Sequence, residues 1–188
     1  MEKTLEQTPA NCLKIVLFGP ESTGKTSLAK QLAEYYKTNW VPEFARDYLQ
    51  KKYDDSGIIC EPHDLVPIAK GQIATENKLA KTANKVLFCD TNVLQTYGYG
   101  QVYYLNFENE ILKKAIERHH YDLYLLTNID IPWQEDDLRD KPDEREEMYA
   151  HFKNVLKKRQ LPFISVKGNK EERLQQAVNA INKLMPNQ

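Results

Sequence analysis

The chain has 188 residues, 41% hydrophobic and 28% charged, with a formal net charge of −1. That length suits a single domain with its own core, and the balanced charge excludes an electrostatic footprint for nucleic acid or an anionic membrane. No apolar run is long enough to span a bilayer, and the polar start, residues 1–11, reads as a flexible tail rather than a signal peptide. The three cysteines, Cys12, Cys60 and Cys89, cannot all pair. Cys12 and Cys89 lie in apolar runs, so they read as small buried residues of a cytoplasmic protein.

Residues 12–18 form an apolar run that predicts a buried strand. Gly19-Pro20-Glu21-Ser22-Thr23-Gly24-Lys25-Thr26 follows and fits G-x-x-x-x-G-K-[ST]. Ser27 then opens a stretch of helical periodicity to residue 36. Strand, glycine loop and helix are the context in which this motif cradles phosphate. The glycines let the backbone wrap the anion, and the N–H groups of the loop and the helix start face it. Gly19, Glu21, Ser22, Thr23, Gly24, Lys25, Thr26 and Ser27 are therefore the expected nucleotide-binding residues. Lys25 is expected to reach the β- and γ-phosphates, and the Thr26 hydroxyl to hold Mg²⁺.

A short second strand is expected at 39–43, stopped by Pro42, then a helix at 44–52 and a loop at 53–63. Residues 64–82 have helical periodicity with an early break at Pro67. Residues 85–90 read as a third strand, nearly all apolar and ending in an acid. The tyrosine-rich stretch 91–107, with two glycines, carries no clear pattern. A helix at 108–120, a strand at 121–127, a polar loop at 128–143, a helix at 144–159, a strand at 162–166 and a helix at 168–185 complete the chain. Alternating strands and helices predict a three-layer α/β sandwich, a five-stranded, mostly parallel sheet with helices on both faces.

Parallel sheets bind ligands at the carboxyl ends of their strands. Asp90 ends the third strand as a Walker B acid does and would organise Mg²⁺, or would otherwise cap the next helix. Glu43, Arg46 and Asp47 stand where a second substrate would lie. A carboxylate there could take a hydroxyl proton and an arginine could neutralise phosphate, or the group could be a solvated helix start. Arg139 and Arg145 lie in or beside the loop after the fourth strand, either a lid closing on the transferred phosphoryl or an exposed charged loop. Trp133 is a pocket candidate by position. Tyr97, Tyr99, Tyr103 and Tyr104 could line an aromatic ligand's pocket or simply pack. His119 and His120 close a helix at the wrong end of the sheet for catalysis.

In order, the chain carries the phosphate loop, Pro42-Glu43-Phe44-Ala45-Arg46-Asp47, Lys70-Gly71-Gln72, Asn84 to Asn92 with its Asp90-Thr91-Asn92 end, Tyr121 to Leu126, and Ile131-Pro132-Trp133 with Leu138-Arg139. The set resembles the ribosylnicotinamide kinase domain of the NadR-type NAD-salvage proteins, from about residue 13 to 184. The resemblance implies an ATP-dependent kinase that phosphorylates the 5′-hydroxyl of nicotinamide riboside, with ATP and that nucleoside as its partners. It implies ATP and Mg²⁺ at Lys25 and Thr26, a catalytic or metal-organising carboxylate at Asp90, substrate arginine at Arg46, and lid arginines at Arg139 and Arg145. Asn92 stands where the family carries a second acid, Pro42 where it carries a tryptophan, and Thr75 in a region where it carries an aromatic. Neither a nucleotidyltransferase signature nor a helix-turn-helix is present in the sequence, so adenylyl transfer and DNA binding are not expected. The alternative is a nucleotide-hydrolysing switch acting on a protein partner. The sequence leaves ATP against GTP, the acceptor and the oligomeric state open.

Overall fold

A computed structural model describes residues 5–185. Its five strands are β1 (Leu13–Phe18), β2 (Trp40–Val41), β3 (Val86–Asp90), β4 (Leu123–Thr127) and β5 (Phe163–Val166). They form one sheet in the order β2-β3-β1-β4-β5, with every pairing parallel. The "mostly" of the expectation thus drops away among the described residues. Among the described residues six α-helices connect the strands and a seventh follows β5: α1 (Lys25–Tyr36), α2 (Phe44–Ser56), α3 (Leu65–Ala80), α4 (Val93–Tyr103), α5 (Glu110–Arg118), α6 (Arg145–Lys158) and α7 (Lys170–Asn182).

Strand alternation sorts the core into two layers. Ile15 and Leu17 of β1 face α1 and α7, packing on Leu28, Leu32, Val178 and Ile181. Val16 and Phe18 face the other way, onto Leu94, Met148, Phe152 and Leu156. A third cluster joins α3, α4 and α5 through Leu65, Ile73, Tyr97 and Leu112. These buried side chains are worth about 1.5–3 kcal/mol each over an exposed state, which makes the sheet a rigid base for its upper edge.

Several boundaries differ from expectation. α2 runs on to Ser56, so Asp54-Asp55-Ser56 is its last turn, and Gly57 at φ +71 closes it by donating to the Tyr53 carbonyl at 2.7 Å. Pro67 falls in the first turn of α3, where its missing N–H has no partner to lose. The unassigned tyrosine-rich stretch is α4. Its glycines depress helix propensity but provide clearance: a Cβ at Gly98 would lie 2.8 Å from the Phe152 ring, and one at Gly100 2.4 Å from Phe107. Cys12 sits before β1 and is half-buried, whereas Cys89 is fully buried.

The N-terminal stretch is held rather than loose from Leu5 onward; residues 1–4 lie outside the described residues. Leu5 is buried and its carbonyl bonds the His119 ring at 2.7 Å. The Gln7 amide donates to Glu76 at 2.8 Å. Glu76 also receives Lys14 Nζ at 2.9 Å and the Tyr121 hydroxyl at 2.8 Å, a buried polar knot at the lower edge of the sheet. Among the described residues one group could ligate a metal, Glu61 with His63 and Asp64, but the Lys52 ammonium already bonds both carboxylates.

Candidate active site

The carboxyl ends of β1, β3 and β4 set the site. β1 leads into residues 19–24, the phosphate loop. Gly19 has φ +136, and a Cβ there would stand 2.9 Å from Thr127 Oγ1, so only glycine fits. Four side chains from outside the motif brace the loop, those of Gln95, Arg173, Arg145 and Thr127. The buried Gln95 amide of α4 receives the Gly19 N–H at 3.0 Å and donates to the Gly19 carbonyl at 2.8 Å. Buried Arg173 of α7 donates to the Thr23 carbonyl at 2.6 Å while pairing with Asp130 after β4. Arg145 reaches the Ser22 and Ile131 carbonyls, each at 3.0 Å. Thr23 spends its own hydroxyl on the Pro20 carbonyl and on Thr127 Oγ1, both at 2.7 Å.

Lys25 is buried, with Nζ donating to the Gly19 and Pro20 carbonyls at 3.0 and 2.7 Å. Burial pulls its pKa down, against the raising influence of Glu43, Asp90 and Glu21. The Leu17–Asp90 register brings the end of β3 alongside the loop, and Thr26 Oγ1 donates to Asp90 Oδ2 at 2.5 Å. Asp90 Oδ1 is buried without a partner. Burial first, and Glu43 second, push the Asp90 carboxyl up to about 7. A hydroxyl and a carboxylate with one unmet oxygen are the oxygen donors a hard divalent cation takes, so this pair fits Mg²⁺.

Gln72 holds the top of β3 to α2. Its oxygen accepts the Phe44 N–H at 2.8 Å, and its amide donates to the Asp90 and Thr91 carbonyls at 3.4 Å. Gly71 makes room, since a Cβ there would lie 2.2 Å from the Phe44 ring. Glu43 caps α2 without using its side chain and lines the cavity.

The cavity has a volume of about 490 Å³. At one end Ser27, Gln31, Gly168 and Lys170 flank the phosphate loop. At the other, Leu49, Ile59, Leu65, Tyr99 and Tyr104 form an apolar, aromatic chamber. Lys25, Glu43, Arg46 and Arg139 also line it. The loop after β4 crosses the opening: Asp136 accepts from Arg46 Nη2 at 2.9 Å and from Arg139 Nε at 3.1 Å. Arg139 Nη1 donates to the Gln134 carbonyl at 2.6 Å, and the Gln134 N–H donates to Ser22 Oγ at 2.8 Å.

The fold therefore brings together Lys25, Thr26, Glu43, Asp90, Arg46 and Arg139. It leaves others outside. Asp47 is exposed on α2, away from the cavity. Asn92 is buried as the cap of α4, accepting from the Gln95 N–H at 3.1 Å and donating to Tyr124 Oη at 3.2 Å, so it cannot also hold a substrate. Trp133 lies under the Arg145 guanidinium, 5.7 Å from its ring centre, and does not line the cavity. Arg145 is committed to backbone carbonyls, so it braces the lid loop rather than reaching the cavity. Thr23 and Glu21 also turn their side chains away from the anion position, the first to Thr127 and the second to Tyr103 at 3.2 Å. Tyr97 is core, its hydroxyl on Glu108, whereas Tyr99, Tyr103 and Tyr104 line the chamber. Gln72, Gln95 and Arg173 were not foreseen. Their signal was a polar residue on a buried helix face, visible only once the faces are known.

The family described as AAA domain matches residues 14–173. Among curated proteins, the trifunctional NAD biosynthesis/regulator protein NadR of Escherichia coli (strain K12) and that of Salmonella typhimurium are each 27% identical over 177 residues. Each alignment covers 93% of this chain and 43% of the relative, so the chain spans less than half the length of these proteins. A NadR protein in complex with NR superposes with a TM-score of 0.76 at 21% identity, over 95% of this chain and 52% of that one. A deoxyadenosine kinase from M. mycoides superposes with a TM-score of 0.66 at 13% identity, over 92% and 100%. No described helix is long and apolar enough to cross a membrane. The phosphate loop, the parallel sheet and the match across most of its length make this chain a member of the AAA-domain family, with the P-loop nucleoside-kinase-like fold.

Proposed function

We propose that the chain is an ATP- and Mg²⁺-dependent kinase acting on the 5′-hydroxyl of a nucleoside, nicotinamide riboside being the leading acceptor. The observation that carries this reading is one cavity joining a phosphate loop to an aromatic chamber, with Lys25 and Glu43 lining it and Asp90 beside them. The likeness to NadR proteins, one of them in complex with NR and another with NAD and AMP-PNP, supports the choice of acceptor.

Chemistry in such a site is positioning and charge stabilisation. Lys25 exchanges its two carbonyl partners for the β- and γ-phosphates. Mg²⁺ held by Thr26 and Asp90 would neutralise phosphate charge. Glu43 has no capping bond to give up and lines the cavity, so it is the carboxylate that receives the 5′-hydroxyl proton. The hydroxyl oxygen bonds to the γ-phosphorus as the bond to the β-bridging oxygen breaks, releasing ADP. Arg46 and Arg139 leave Asp136 for the transferred phosphoryl group. A pyridinium ring suits a chamber of Tyr99, Tyr103 and Tyr104, whose ring faces attract a cation. Those tyrosines provide the aromatic wall that Pro42 and Thr75 do not; the Thr75 hydroxyl is spent on the Gly71 carbonyl at 2.9 Å.

The test is incubation with ATP and Mg²⁺ and a panel of nucleosides including nicotinamide riboside, with products identified by mass and Lys25→Ala as the blank. Nicotinamide mononucleotide formed by the wild type alone supports the proposal in full. A different phosphorylated nucleoside keeps the kinase and removes the acceptor. ATP hydrolysis with no acceptor consumed replaces the kinase with a nucleotide-dependent switch.

A further inference from the structure

We propose that Glu21 reads the 2′,3′-diol of a ribose and makes this site selective for ribosides over deoxyribosides. The inference rests on the nucleoside-kinase reading. Glu21 occupies the third place of the phosphate loop, where an anionic side chain cannot face phosphate. Accordingly the loop turns it toward α4, on the acceptor side of the cavity wall. There it is short of donors. Its Oε1 lies 3.2 Å from the Tyr103 hydroxyl, but that hydroxyl has one proton and stands 2.6 Å from Asp140 Oδ1. The shorter bond takes the proton. Glu21 Oε2 is buried and has no partner at all.

A buried carboxylate without donors is costly, and natural sites leave such atoms unmet mainly where a ligand completes them. Burial and the neighbouring Asp140 push the Glu21 carboxyl up to about 7, the direction expected of a carboxylate lacking donors. What completes it brings two hydroxyl or amine donors from the cavity, the carboxylate turning to present Oε2, which is buried as the side chain now stands, to the second. With the 5′-hydroxyl at Glu43 and Lys25 and the base among the tyrosines, the moiety passing Glu21 is the sugar. A vicinal diol supplies two adjacent O–H donors, one for each carboxylate oxygen. A deoxyriboside supplies one and leaves the other oxygen orphaned.

A site built to bond a hydroxyl rejects analogues lacking it far more strongly than a site that merely has room for it, here by about 10²-fold or more. The experiment compares kcat/KM for nicotinamide riboside, or the nucleoside the panel selects, with its 2′-deoxy and 3′-deoxy analogues. Wild type, Glu21→Gln, Glu21→Ala and Tyr103→Phe are measured, and ATP affinity is followed in each as a check on the loop. The expected result is riboside preference in the wild type that collapses toward unity in Glu21→Ala and falls partway in Glu21→Gln, with ATP affinity kept. Tyr103→Phe, which retains the ring, weakens the preference less than Glu21→Ala. If Glu21→Ala does not fold, Glu21→Gln and Tyr103→Phe carry the same comparison. A wild type that phosphorylates ribosides and deoxyribosides equally overturns the inference alone, as does Glu21→Ala lowering every substrate by one factor. A wild type that phosphorylates no nucleoside overturns both this inference and the reading beneath it.

Discussion

Removing the Glu76 carboxylate should be among the most destabilising single changes available in this fold. Glu76 is fully buried and receives Lys14 Nζ, the Tyr121 hydroxyl and the Gln7 amide at 2.8–2.9 Å. The Lys14 side chain is only 7% exposed, so little water reaches its ammonium to replace the lost partner. Its other contact is the Thr8 carbonyl at 3.4 Å, too long to compensate a buried charge. Breaking a buried ion pair from one side costs about 3–5 kcal/mol, because the remaining charge is uncompensated. Glu76→Ala also opens a cavity and frees the Tyr121 hydroxyl, so the upper half of that range applies. Removing both charges behaves differently. Lys14→Met with Glu76→Leu replaces the pair by apolar volume and should return most of the loss, since such replacements are often neutral. Urea unfolding of the wild type, both single variants and the double variant measures this as a double-mutant cycle. A cost below about 1 kcal/mol for Glu76→Ala, the level of an exposed pair, would refute the argument.

Lys25→Ala should lower phosphoryl transfer by about 10²–10³-fold or more, the usual cost of losing a preorganised charge at the transition state. Steady-state kinetics checks it, and a smaller loss removes Lys25 from the phosphate position. Asp90 titrates higher folded, at about 7, than unfolded, so its proton is bound more tightly by the native state. Its contribution to stability is complete below the unfolded value near 3.9 and is lost as pH rises through 7. Thermal unfolding from pH 4 to 8 should show a smaller loss in Asp90→Asn than in the wild type, Glu21 supplying what remains, and Mg²⁺ should raise Tm more at pH 8 than at pH 5.5 only with Asp90 present. Equal Mg²⁺ effects in the two proteins would exclude Asp90 as a ligand. Gln95→Glu removes the donor to the Gly19 carbonyl and places a carboxylate against the loop. ATP affinity should fall by about tenfold, corresponding to about 1.4 kcal/mol for one lost buried hydrogen bond, while Gln95→Ala should not be rescued by excess Mg²⁺.

The strands and the phosphate loop were legible in the chain itself because their signals are local. The largely apolar runs at Leu13–Phe18 and Val86–Asp90 read as buried strands, and two glycines with Lys25 and Thr26 suit one backbone shape. The acid at the end of β3 could be placed beside Thr26 because parallel strands end together. What the chain alone did not decide was where side chains point and which distant residues they meet. Asn92 lies next to Asp90's strand end yet turns inward to cap α4, because α4 needs a cap and Tyr124 offers a partner. Arg145 is drawn off the cavity by two carbonyls, and Arg46 and Arg139 share Asp136, pairings across 90 residues and across three. α4 stayed hidden because its glycines weaken helix propensity and repay it only through contact with Phe152 and Phe107. Gln72, Gln95 and Arg173 became functional in the same way. A polar residue on a buried helix face acquires meaning only when packing sets it opposite Asp90, Gly19 or Thr23.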